Sequence, residues 1–130
     1  MKKFFIPPDF NLAAAWFADS MLPTALKQMQ NIEDIVIQEK DRALLRSLRN
    51  ERMLFFTNHP SQAEPMIAYH IANVIGSRFY YMATRRAFDF LFGIVGKWFQ
   101  STGAYSILPG VPDRESMMMT RKLLSKPSGK

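Results

Sequence analysis

Apolar residues fall into two rhythms along this chain. Short, nearly unbroken apolar runs at 53–56 (Met-Leu-Phe-Phe), 79–83 (Phe-Tyr-Tyr-Met-Ala) and 104–108 (Ala-Tyr-Ser-Ile-Leu) have the length and aromatic content of buried strands. Between them the apolar positions recur at helical spacing. Met66, Ile67, Tyr69, Ile71, Ala72, Val74 and Ile75 predict a helix over 65–75, opened by Pro65 and closed by Gly76-Ser77. Phe88, Leu91, Phe92, Val95, Trp98 and Phe99 predict another over 85–99, capped by Thr84. Apolar strands separated by helices give an α/β class: a small, mostly parallel sheet of three neighbouring strands covered by these two helices.

The flanking segments extend the pattern. Residues 39–52 predict a helix with Leu44, Leu45 and Leu48 inward, Glu39 and Asp41 near its start and arginines near its end, in the sense the helix dipole favours. Asn11 is placed to cap a helix to about residue 20, Pro23 to end it, and residues 24–30 to form a further short helix. Pro109, Gly110 and Pro112 make a loop before a last helix over 115–124. The organisation expected is therefore an amino-terminal helical or docking segment, 1–38, followed by an α/β domain, 39–130.

Composition narrows the chemistry. No cysteine is present, which removes disulfides, thiol nucleophiles and cysteine-ligated metals. The longest apolar runs, 12–18 and 90–96, hold seven residues each, far short of a membrane span. Prolines 7 and 8 interrupt the start too early for a signal peptide, so the expectation is cytoplasmic, at a membrane surface. A formal charge of +6 favours an anionic partner, and the early aromatics Phe4, Phe5, Phe10, Trp16 and Phe17 beside Lys2 and Lys3 suit an interfacial element. The arginines alone would also fit nucleic acid, but no helix-turn-helix, zinc-finger or RNA-binding signature accompanies them, and no nucleic-acid partner is expected.

The chemistry-bearing stretch is Thr57-Asn58-His59-Pro60-Ser61-Gln62-Ala63-Glu64, which links the first expected strand to the helix after it. An imidazole in the turn and a carboxylate at the helix start can pair, the acid holding one ring nitrogen and leaving the other free to take a proton. This stretch resembles the first signature of the glycerolipid acyltransferases, the family of the 1-acylglycerol-3-phosphate acyltransferases: Asn58, His59, Ser61 and an acid five residues after the histidine, here Glu64 where the family usually has Asp. A second segment, 103–116, matches in part at Gly103, Ser106, Gly110, Asp113, Arg114 and Ser116. Pro109 stands where the family carries a phosphate-gripping arginine.

The resemblance implies transfer of a fatty acyl group from acyl-CoA or acyl-carrier protein to a hydroxyl of a glycerol-phosphate or lysophospholipid, with His59 as general base and Glu64 orienting it. Asn58 and Ser61 would shape the turn, and Arg114 with Arg85 and Arg86 would bind phosphate; the face of Phe88, Leu91, Phe92 and Val95 is read either as core or as the wall of an acyl-chain channel, because both uses need the same apolar surface. Proton abstraction by a histidine needs no metal and no cofactor beyond the donor, so neither is expected. In the family a further strand and a Glu-Gly signature follow; neither appears here, and the sequence reads as the amino-terminal portion of an acyltransferase domain. The alternative is a lipid-binding or partner-binding module that keeps the fold without turnover.

Overall fold

The computed structural model describes residues 5–58 and 63–130. Within them the chain is α/β, with six α-helices and one two-stranded parallel sheet. The helices are α1 (Leu12–Gln30), α2 (Glu39–Ser47), α3 (Glu64–Ile75), α4 (Arg85–Phe88), α5 (Ile94–Ser101) and α6 (Arg114–Leu124). The strands are β1 (Tyr81–Thr84) and β2 (Ala104–Ile107), paired from Tyr81↔Ala104 to Thr84↔Ile107. Among the described residues no helix is long and apolar enough to cross a membrane.

Two of the three expected strands form, and the third does not. Residues 52–58 have no regular secondary structure. The physical reason lies in what they meet. The Met53 N–H donates to the Gly129 carbonyl at 3.0 Å, and the Tyr80 N–H donates to the Lys130 carbonyl at 3.1 Å. Gly129 and Lys130 therefore occupy the hydrogen-bonding position between the 53–56 run and the approach to β1. Ring contact between Phe55 and Phe79, 5.7 Å between centroids, keeps the two apolar stretches together without a ladder.

The outer edge of β2 is covered from the other side by the amino-terminal arm. Ser106 donates its N–H to the Ile6 carbonyl at 2.9 Å, while its hydroxyl accepts from the Ile6 N–H at 2.7 Å. The arm then follows the end of α5: Asp9 and Asn11 donate to the Gln100 and Ser101 carbonyls, and the Gln100 side chain donates to the Pro7 carbonyl. An edge strand is thereby satisfied by chain rather than by water.

α1 begins as expected, with the Asn11 side chain accepting from the Ala14 N–H at 3.1 Å, but it does not end at Pro23. It runs through the proline to Gln30 and closes on Asn31 in the left-handed region (φ 55°). The ring leaves the Asp19 carbonyl without its usual helical donor, a cost that a free helix would avoid by breaking. Here Ala15 and Leu26, one on each side of Pro23, are both buried, so tertiary packing holds the two halves in line. α2 is shorter than the expected 39–52 and ends at Ser47, and Leu44 points to solvent while Leu45 and Leu48 are half-buried. α3 matches its expected span, with Pro65 in its first turn and Gly76 at φ 78° closing it; its helical neighbours are α1 and α2, and it does not lie on the two strands.

The expected helix 85–99 is two helices. Leu91 (φ 48°), Phe92 (φ 56°) and Gly93 (φ 86°) turn the chain through three successive left-handed residues between α4 and α5. In one continuous helix Phe88 and Gly96 would stand about 12 Å apart along the axis. Instead the Gly96 backbone lies against the Phe88 carbonyl so closely that a Cβ there would collide with it. Phe88 is buried to 2% exposure and meets Phe99 edge-on at 6.1 Å. The chain doubles back because burying Phe88 between its own helix and the next outweighs helix continuity.

A polar clamp fastens α1 to α3 and to the segment entering β1. Arg78 reaches both oxygens of Asp19, at 2.6 and 2.8 Å, and Asn73 donates to the same carboxylate at 3.0 Å. Arg78 also donates to the Tyr69 hydroxyl, which in turn donates to the Ala15 carbonyl at 3.1 Å. The bidentate geometry fixes orientation as well as distance.

Candidate functional site

The register of the sheet decides where the candidate residues can meet. β1 and β2 run parallel and their last residues, Thr84 and Ile107, are partners, so the segments that follow both strands leave from the same end of the sheet. In open parallel sheets that carboxyl end is where ligands bind. The segment after β1 carries Arg85 and Arg86, and the segment after β2 is the 108–113 loop leading to Arg114.

Glu64 is the first residue of α3, half-buried, preceded by the buried Ala63 and followed by Pro65. The dipole of a helix favours an acidic residue in its first turn. Asn58 is exposed at the end of the 52–58 segment. His59 and Ser61 lie outside the described residues. His70 is a half-buried residue within α3.

The second motif is mostly architecture. Gly103 enters β2 at φ 100°, its α-carbon side facing the Phe79 carbonyl. Ser106, 1% exposed, is the residue that receives the amino-terminal arm. Asp113 splits its carboxylate between the end of β2 and the start of α6, one oxygen accepting from the Leu108 N–H at 2.9 Å and the other from the Ser116 N–H at 3.1 Å. Ser116 is equally buried, and its hydroxyl faces the Met82 sulfur at 3.6 Å. Of the matched residues in this segment, Arg114 is a solvent-facing cation. It borders a shallow concavity of about 560 Å³ with Pro112, Met117, Met118 and Arg121. Arg121 was not singled out for a role from the sequence; its spacing of seven from Arg114, two turns along one helix face, is the signal that finds it.

Arg85 pairs with Asp89 at 2.7 Å, one turn along, whereas Arg86 is exposed at the rim of a second concavity of about 370 Å³ lined by Thr84, Ala87, Phe90, Val95 and Phe99. The four residues expected to share one acyl-binding face are separated by the break in the helix. Phe88 is in the core and Val95 lines the concavity, while Leu91 and Phe92 project into solvent. A single helical wall of Phe88, Leu91, Phe92 and Val95 is therefore not formed.

The displaced proton affinities lie in the clamp and the core. Asp19 is held below the usual carboxylate range by its hydrogen bonds to Arg78, against an opposing effect of burial. Burial, with the Asp19 charge second, pushes Tyr69 up to about 12. Tyr81 and Tyr105 are raised by burial as well, moderated by hydrogen bonds to Thr102 and Thr120. Among the described residues no group of three or more His, Asp or Glu side chains is arranged to hold a metal ion. Comparison of the chain with family models, with curated proteins and with solved structures gives no match.

Proposed function

We propose that this chain is a glycerolipid O-acyltransferase domain that works on acceptors at a membrane surface. His59 takes the proton from a glycerol hydroxyl as that oxygen attacks the carbonyl of an acyl thioester. The tetrahedral intermediate then expels the thiolate, which leaves as the thiol after receiving the proton from the imidazolium. Glu64 orients the ring and favours its charged form during transfer. Arg114, with Arg121 two turns along α6, receives the acceptor's phosphate, and Arg86 is a third cation, at the rim of the apolar concavity that takes the acyl chain through Val95, Phe90 and Phe99.

The observation that carries this reading is the parallel register ending at Thr84 and Ile107, which gives the basic segments after both strands one common side of the sheet. The Asn58-His59 signature supplies the chemistry, and Glu64 is the first residue of α3. Acyl transfer from acyl-CoA or acyl-carrier protein to lysophosphatidate or glycerol phosphate, measured per folded molecule, is the test. His59→Ala is expected to lose roughly 10²-fold or more. Glu64→Gln should lose activity with the fold intact, and Glu64→Asp should keep part of it. Undiminished transfer by folded His59→Ala overturns the assignment.

Pro109, exposed where the resembled family has its arginine, favours a second reading, a lipid-binding module without turnover. It predicts lysolipid binding sensitive to Arg114→Ala with no acyl transfer from either donor.

A further inference from the structure

The turn between α4 and α5 puts large apolar side chains where a folded chain in water gains nothing from them. Phe90, Leu91, Phe92 and Ile94 are all exposed, and Phe92 is as open as in an extended peptide, at 104%. Leu91 and Phe92 also adopt left-handed backbone angles, which branched and bulky residues avoid; Asn or Gly would suit these positions better in a solvated turn. The surface continues beyond the tip. Ile94 and Trp98 are one turn apart on α5, and Trp98 meets Phe17 of α1 edge-on at 5.6 Å. Phe17, its neighbour Trp16 and Met21 one turn on are exposed in their turn. A ridge of exposed aromatics thus runs from the turn to α1.

We propose that this ridge is a membrane-insertion surface, with the Leu91-Phe92 tip entering the acyl-chain region of an anionic bilayer and Trp98, Trp16 and Phe17 resting at the headgroup level. Two features choose a bilayer. The tip is convex, and disordered hydrocarbon accepts projecting side chains without the matching pocket a protein partner must provide. The charges next to it along the chain are complementary to anionic headgroups: Arg85, Arg86 and Lys97 stand against Asp89, and Asp89 is paired with Arg85, in a chain of net charge +6. This deepens the membrane-surface part of the function proposed above and rests on it; the acyl-transfer part is unaffected by its outcome.

The two tryptophans of the chain both lie on the ridge and serve as native reporters. Binding is read by co-sedimentation with vesicles of phosphatidylcholine alone and of phosphatidylcholine mixed with phosphatidylglycerol, without donor or acceptor, so a failure of acyl transfer does not touch the result. Tryptophan emission is read in the same vesicles with acyl chains brominated close to their headgroup end, the depth at which Trp98 would rest. The expected result is preferential binding to the anionic vesicles with quenching of Trp98 in a Trp16→Phe background. Replacing the tip by Leu91→Asn with Phe92→Asn relieves the backbone, keeps the circular dichroism, and weakens vesicle binding by roughly tenfold or more. Binding of the double variant within twofold of the parent overturns the proposal. So does bound protein with unquenched Trp98, or equal binding to neutral vesicles. A dimer in vesicle-free buffer that shields Trp98 from acrylamide also overturns it and gives the ridge to a second copy of the chain.

Discussion

Gly96 shows how much one residue can decide here. Its missing side chain lets α5 lie against the Phe88 carbonyl, and the obstacle a Cβ would meet is backbone, which cannot swing aside. Gly96→Ala is therefore expected to destabilise the protein by roughly 1–3 kcal/mol, although alanine is the better helix former by about 1 kcal/mol. Urea unfolding monitored by circular dichroism checks it, and a variant as stable as the parent would show that α4 and α5 are not pressed together. Asp113 is the second such residue, because one carboxylate serves two N–H groups from different elements. Asp113→Ala should cost about 0.5–2 kcal/mol for the cap, with the link to Leu108 lost in addition. Asp113→Asn keeps an acceptor and should recover the cap but not both contacts, which separates the two in the same unfolding experiment.

At the scale of elements, helices hold or fail according to what their ends and middles touch. α1 survives a proline because both halves are anchored: buried Ala15 and the Asp19–Arg78 clamp hold the half before Pro23, and buried Leu26 holds the half after it. The sign of its pH dependence follows from the direction of the shift. Asp19 is depressed below its ordinary 3.8, so its contribution is fully present above that value and is lost as pH falls through the lower folded pKa. Asp19→Asn should lower stability at neutral pH and flatten the acid limb below about pH 4. Tyr69 gives the opposite limb. It is raised from 10 to about 12, so its contribution is complete below pH 10 and declines as pH rises toward 12. Thermal unfolding as a function of pH, parent against Asp19→Asn and Tyr69→Phe, reads both limbs; parallel curves would place the clamp outside the stability of the fold. The clamp's pair is about a third exposed, so its effect is expected to be modest.

At the scale of the whole molecule, the sheet is the smallest that can carry a βα-type site, and it relies on chain segments to finish its edges. The arm at Ile6 closes the β2 side, and Gly129 with Lys130 stands between Met53 and the approach to β1. The Lys130 ammonium adds to this by donating to the Arg49 carbonyl at 2.7 Å. The features legible in the sequence were local: the caps at Asn11 and Gly76, the span of α3, the short apolar runs that became β1 and β2, and the proline- and glycine-rich loop before α6. Each depends on residues close in the chain, through backbone angles, capping bonds or the period of burial. Tertiary structure decided the rest. The 53–56 run looks like a strand, yet a ladder needs a partner at the right distance, and other chain fills that place. The 85–99 pattern looks like one helix, yet its period is the same whether the helix continues or folds back on Phe88. The signature at Asn58 and Glu64 was legible as a motif, whereas the common exit of Arg86 and the 108–113 loop depends on strand register, and register is a relation between segments some twenty residues apart that no local pattern contains.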